Sequence, residues 1–210
     1  QGLSPITAWR AHKNEAEIAG FRRAMQHDGV AMVRFHRELD EKVADGSINQ
    51  ETEWSIAERL EEIRAEHPEY RGLSFATIAG YAGNGAIVHY EATAEDHAQL
   101  ADKSFLLLDS GAHYVSGTTD ITRTIPLGVL SDEEKKAYTL VLKGMIQLSM
   151  AHFPAGTTGL ALDFAARQSM WREGYDFGHG TGHGVGSHLC VHEGPHQIRK
   201  DRRAATEVPF

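Results

Sequence analysis

Cysteine is nearly absent from this chain. Cys190 is the only one, so no disulfide framework exists, and the expected setting is a reducing compartment such as the cytoplasm. Lying between Leu189 and Val191, the lone thiol reads as a small buried residue rather than a nucleophile. Long apolar runs are missing too: none approaches the ~20 residues that span a bilayer, which argues against a membrane partner. The opening residues lack the charged and apolar regions of a signal peptide and read as a chain already under way. Positive charge is sparse. The net charge is −8, and apart from RKDRR at 199–203 there is no basic stripe of the kind phosphate backbones require, so nucleic acid is not an expected partner.

What remains is ordinary globular composition, 41% hydrophobic and 24% charged over 210 residues, enough for one substantial domain or two small ones. Apolar residues at Ile18, Phe21, Met25, Met32, Phe35 and Leu39 mark one face of a long amphipathic helix over residues 14–43, weakened but not ended by Gly20 and Gly29. Thr52 is a reasonable N-cap for a second helix that buries Ile56, Leu60 and Ile63 and stops at His67 and Pro68. Its acidic run, residues 58–66, is the solvated face. The periodicity then changes to that of short strands. Expected are residues 74–81, a turn at Gly83, Asn84 and Gly85, residues 87–90, and the apolar run 104–108 with its continuation to Val115. A turn at 116–118 and a returning strand over 120–125 complete a hairpin. Ser131 with Glu134 forms a capping box opening a helix to about residue 151 that buries Leu140, Met145 and Leu148. After a loop at 154–158, a further helix carries Leu162, Ala166 and Met170 and ends at Gly174 in a left-handed cap. Each half runs helix, helix, strands, and the second set of strands looks unfinished.

Glycine and histidine crowd together in residues 178–195. Read from Phe177, the stretch is FGHGTGHGVGSHLCVHEGP, with His179, His183, His188 and His192 punctuated by glycine. Alternating glycine disfavours a helix and lets backbone approach a neighbouring strand or a ligand. The chain here is expected to be extended, with His179 and His183 on one face and Val185, Leu189 and Val191 supplying something to bury. Imidazole is the commonest protein metal ligand and titrates near neutral pH, so these histidines are expected to face a reaction site. The alternative is a flexible surface loop or an adventitious metal binder.

Asp109 ends the apolar run over 105–108, where a carboxylate is costly unless paired or metal-bound. The hairpin would place it on the strand next to Asp120. Two close carboxylates repel, so either one is protonated or a cation lies between them. Taken singly, Asp109 could form a local turn with Ser110 and Gly111, and Asp120 could be a solvated strand residue. With a histidine-rich strand elsewhere, a metal site is the better reading. Carboxylates plus one imidazole suit Mn²⁺, Co²⁺, Zn²⁺ or Fe²⁺, and two such ions generate a metal-activated hydroxide at neutral pH. Remaining histidines could shuttle protons. His89, at the end of a strand after Gly-Asn-Gly, is placed for a substrate contact.

The succession GNGAIVHY, LLLDSGAHYVSGTTDITRTI and GHGTGHGVGSHLCVHEGP resembles the catalytic domain of Xaa-Pro aminopeptidase (aminopeptidase P), and KNEAEIAGFRRAMQHDGVAMVRF resembles its entry helix. The resemblance runs from about residue 4 to 198. It implies the α+β pita-bread fold, with two pseudo-symmetric αα-ββ halves of which the second is incomplete. Residues 1–210 would then form a metallopeptidase catalytic domain, partial at its C-terminus and without the family's N-terminal domains. It further implies that Asp109 binds one metal, Asp120 bridges two and His183 is the imidazole ligand, with Mn²⁺ first and Zn²⁺ or Co²⁺ as alternatives. His89 and His192 would bond the scissile peptide and move protons, and His179 would line the proline pocket. The implied substrate is a peptide with proline in second position, and the family's members are often homodimers. The family's two further glutamate ligands, in stretches like SNEPG and RIEN, have no counterpart here, and neither Glu193 nor Glu207 takes their place. Without them the three ligands would hold metal weakly. A prolidase-type dipeptidase and an inactive peptide-binding pita-bread domain are the alternatives.

Overall fold

Pro5 opens the first helix, where its missing N–H costs nothing and its fixed φ suits a helix start; α1 is Pro5–Ala11. Asn14 caps α2, Glu15–Asp45, accepting from the Glu17 N–H while the Glu17 carboxylate accepts from the Asn14 N–H. The same reciprocal arrangement, Thr52 with Ser55, opens α3, Glu53–Ala65. Strands β1 (Tyr70–Leu73), β2 (Ile78–Tyr81), β3 (Phe105–Ser110), β4 (Ala112–Tyr114), β5 (Gly117–Thr118) and β6 (Ile121–Pro126) follow. The expected capping box of Ser131 and Glu134 is present and starts α4, Asp132–Ser149. Helix α5, Gly159–Trp171, and strands β7 (Gly182–Gly184) and β8 (Glu193–Ile198) complete the order. After α1, the order helix, helix, strands occurs twice, as the sequence reading expects.

The computed structural model describes residues 4–202 and 207–210, which divide into two compact units. The first, called the hairpin unit, holds residues 13–130 and 186–191. Its core joins Met32, Phe35 and Leu39 of α2 and Ile56, Leu60 and Ile63 of α3 to Leu106, Leu108, Ile121 and Ile125 of the sheet. That sheet has the order β2-β3-β6, and a second has the order β1-β4-β5, all pairings antiparallel. The second, called the histidine unit, holds residues 4–12, 131–185, 192–202 and 207–210. There α4 and α5 pack together, burying Leu140, Leu162, Ala166 and Met170, and β7 pairs with β8. Arg203 of the basic cluster lies outside the described residues. No helix among the described residues is long and apolar enough to cross a membrane.

Two helix faces differ from the expected ones. Ile18 and Met25 are exposed, and α2 instead buries Gly20, Ala24, Asp28 and Ala31 along its first half. Small residues are needed because the hairpin turn crosses there: a Cβ on Gly20 would stand 2.2 Å from the Ser116 carbonyl oxygen. In α4, Met145 is exposed while Leu140 and Gly144 face inward. Gly144 fits because a Cβ would meet the Ala166 carbonyl oxygen at 1.9 Å, so the helices approach along a line that excludes the Met145 side. Residues 87–90 are a turn rather than a strand, following a 3-10 helix at Ala82–Ala86.

Candidate active site

Strand β3 pairs with β6 and β4 with β5, two ladders of separate sheets that keep the same pairing count across the break at Gly111, Thr119 and Asp120. Phe105 faces Pro126, Asp109 faces Thr122 and Ser110 faces Ile121, and farther along His113 faces Thr118 and Tyr114 faces Gly117. The tight turn is Val115 and Ser116, one position earlier than the spacing predicts. Between the two ladders Thr119 N–H donates to the Ala112 carbonyl at 2.9 Å, so the register continues through Gly111 and Asp120. Asp120 therefore lies two residues from Thr122, the cross-strand partner of Asp109. Alternation puts both aspartates on the same face as diagonal neighbours, each half-buried. Thr122 Oγ1 donates to Asp109 Oδ1 at 2.8 Å, fixing one carboxylate from across the ladder. Side-by-side carboxylates of this kind suit a divalent cation.

The opposite face of the hairpin is closed by a buried ion pair that periodicity alone does not reveal. Arg64 Nε and Nη2 donate to Asp28 at 2.7 and 3.2 Å, and Nη2 also reaches Ser110 Oγ at 3.1 Å. Thr119 Oγ1 donates to the same Asp28. The signal was present: Asp28 interrupts the apolar stripe between Met25 and Met32, and Arg64 follows Leu60 by one helical turn.

His89 sits exposed in the turn after β2, with φ +57°. The turn is anchored by Glu53, fully buried at the start of α3. Glu53 accepts from Tyr81 N–H at 2.6 Å, Asn84 Nδ2 at 3.0 Å, Tyr90 Oη at 2.7 Å and Ala98 N–H at 2.7 Å. These polar bonds, rather than a ladder, shape residues 82–90, which is why no strand forms there.

The glycine–histidine stretch is less extended than expected. Within it only Gly182–Gly184 and the first residues of β8, from Glu193, are strand; His179 lies in a bend, and residues 187–189 and 191–192 bend again. Leu189 and Cys190 have positive φ and are exposed, so the thiol is not the small buried residue its neighbours imply. In the histidine unit, Arg167 of α5 organises the start of the stretch. Its guanidinium donates to Asp163 at 2.6 Å, Asp176 at 2.7 Å, the Phe177 carbonyl at 2.6 Å and the His179 carbonyl at 2.9 Å. His183 of β7 faces Gln197 of β8, and its ring meets that of His192 edge-on with centroids 4.3 Å apart. The hairpin unit thus brings Asp109 and Asp120 together, and the histidine unit brings His183 and His192 together. Among the described residues no three His, Cys, Asp or Glu side chains are arranged to hold an ion.

His188 belongs to the hairpin unit, its Nδ1 2.9 Å from the Tyr114 carbonyl oxygen. Its ring lies 5.6 Å from that of His113, whose Nδ1 is 2.9 Å from Thr118 Oγ1. Burial first, and the neighbouring His188 second, hold the His113 pKa below the usual histidine value. A depressed folded-state pKa favours the neutral ring, so its stabilising contribution is present above the unfolded histidine pKa and is lost as pH falls through the folded value. Thermal melts between about pH 7 and pH 5 should show a falling midpoint, and His113→Gln should flatten that slope.

The hairpin motif and the histidine stretch lie within one region recognised as a family. The model of metallopeptidase family M24 matches residues 19–208. A probable Xaa-Pro aminopeptidase P of Metarhizium robertsii is 50% identical over 99% of this chain and 33% of its own length, and one of Aspergillus niger is 47% identical over 99% and 33%. Among solved structures, the X-prolyl aminopeptidase of Caenorhabditis elegans, a cytosolic enzyme with a di-nuclear active site, aligns at TM-score 0.88 and 39% identity over 94% of this chain and 32% of its own. The prolidase of Pyrococcus furiosus aligns at 0.72 and 27%, over 93% and 54%. The chain spans about a third of the length of the curated relatives it matches. Its fold is the pita-bread fold, and the chain belongs to metallopeptidase family M24.

Proposed function

We propose that this chain carries part of a metal-dependent aminopeptidase that hydrolyses the bond between an N-terminal residue and a following proline. The observation that supports the reading is the carboxylate pair: Asp109 faces Thr122 across the ladder and Asp120 lies two residues before Thr122, in a chain about half identical to proteins named Xaa-Pro aminopeptidase P. Residues 1–210 form a partial catalytic domain. Asp109, Asp120 and His183 would hold two divalent ions, Mn²⁺ first and Zn²⁺ or Co²⁺ as alternatives. When bound, such ions supply Lewis acidity and a nucleophilic water at neutral pH. His89 and His192 donate to the scissile peptide and carry protons to the leaving imino nitrogen. His179 lines the pocket for the proline ring. The enzyme is cytoplasmic and homodimeric by analogy with its family.

The test is cleavage of Xaa-Pro peptides against matched Xaa-Ala peptides, with Mn²⁺ and after chelation, by this chain and by one extended at its C-terminus. Mn²⁺-dependent cleavage restricted to proline in second position is the expected result. Hydrolysis confined to free Xaa-Pro dipeptides would replace this reading with a prolidase. Peptide binding without metal and without turnover would replace it with a binding module.

A further inference from the structure

Asp28 and Arg64 are both fully buried and take no part in the chemistry above. A buried ion pair is poor stability engineering, since well-packed apolar residues often replace one at no cost. What this pair touches gives it another role. Arg64 Nη2 donates to Ser110 Oγ at 3.1 Å, and Ser110 is the residue after Asp109. Thr119 Oγ1 donates to Asp28, and Thr119 is the residue before Asp120. The Thr119 hydroxyl also accepts from Ala112 N–H at 2.9 Å, and its carbonyl accepts from Ser74 Oγ at 2.8 Å. Tyr114 Oη adds a long bond to Asp28, at 3.4 Å. The side-chain contacts of Asp28 and Arg64 with Ser110, Tyr114 and Thr119 are on the core-facing side of the hairpin, where Ser110, Ala112, Tyr114 and Thr119 are buried. Alternation then directs the two adjoining aspartates to the other face.

We propose that Asp28, Arg64 and Thr119 are positioning residues that lock the hairpin from behind, so that the Asp109 and Asp120 carboxylates converge on a divalent cation. The inference rests on reading those aspartates as metal donors. The lock works through the backbone: each gripped residue adjoins one donor, and a change of tilt or twist at either would separate the carboxylates. Groups that orient metal ligands from behind alter affinity about 10- to 100-fold when removed.

The experiment is titration of the folded chain with Co²⁺, followed by visible absorption, and with Mn²⁺, followed by the free-ion paramagnetic signal. Thr119→Val keeps shape and both buried charges but removes the hydroxyl, and it should weaken ion binding about 10- to 100-fold. Thr119→Ser, which keeps the hydroxyl, should restore it. Asp28→Asn should act in the same direction; should that variant fail to fold, Thr119→Val carries the test. Thermal melts without metal accompany each titration, because a purely structural role would lower the midpoint and leave the dissociation constant of the folded fraction unchanged. That pattern overturns the proposal. Asp120→Asn separates the two layers of inference. If it abolishes ion binding while Thr119→Val binds like wild type, the donors stand and the lock falls. If Asp120→Asn binds ions as wild type does, the donor assignment falls and takes the lock with it.

Discussion

Asp120→Asn should abolish the proposed Xaa-Pro cleavage while the hairpin stays folded. The expected loss in kcat is at least about 10²- to 10³-fold, the scale of removing one principal electrostatic stabiliser from a reaction site. The substitution keeps size and hydrogen-bonding reach but removes the negative charge. Asp120 is half-buried, just before β6, and the register around it is held by backbone bonds and by the Thr119 side chain, so the amide should not disturb the fold. Far-UV circular dichroism and the melting midpoint should match wild type, while metal content after Mn²⁺ loading drops. Cys190→Ala is the contrasting case. Cys190 is exposed, at φ +54°, a conformation alanine tolerates no worse, and kcat/KM should stay near wild type. Loss of activity in Cys190→Ala with retention in Asp120→Asn would transfer the chemistry from the carboxylates to the thiol.

The starts of α3 and α4 were plain in the residues because capping is local. Thr52 and Ser131 each sit three residues before the partner that caps back, and a short-range bond of that kind needs no knowledge of the rest of the chain. The aspartate pair was half legible. The two strands could be read, but whether both carboxylates share a face depends on the turn position, and only the placement of Val115 and Ser116 at the tip decides it. Faces set by what packs opposite were not legible. Met25 and Met145 lie in apolar periodicity yet are exposed, because Gly20 and Gly144 are where backbone arrives. Nor could periodicity show that residues 87–90 turn, since the cause is Glu53, distant in sequence. The buried charges Asp28, Glu53, Arg64 and Arg167 had one visible trace. Asp28 and Arg64 fall at apolar positions of amphipathic helices, where a charge needs a partner.

Arg167→Ala should be the most destabilising single change in the histidine unit, costing about 3–5 kcal/mol, the range for removing one partner of a buried pair. Arg167 is fully buried, and its guanidinium lies 3.6 Å from the centre of the Phe177 ring. Without it, Asp163 is left buried with the Thr181 hydroxyl donating to it, and the carbonyls of Phe177 and His179 lose the guanidinium donor. The Lys200 bridge to Asp176 sets the scale by contrast. The Lys200 ammonium foremost, and Arg167 with it, hold the Asp176 carboxyl below the usual range, so that contribution is present at neutral pH and lost as pH falls through the carboxylate range. Both partners are substantially exposed, and Lys200→Ala should cost no more than about 1 kcal/mol. Urea denaturation of the two variants measures the difference, and a cost for Arg167→Ala as small as that for Lys200→Ala would refute the assignment of Arg167 as the organiser of this segment. The double variant Arg167→Met with Asp163→Leu takes the argument one step further. Replacing a buried ion pair by apolar residues often restores stability, but methionine cannot donate to the Phe177 and His179 carbonyls. Stability should largely return while the His179 segment stays loose, seen as fast amide exchange over residues 177–181 and a raised KM for Xaa-Pro peptides.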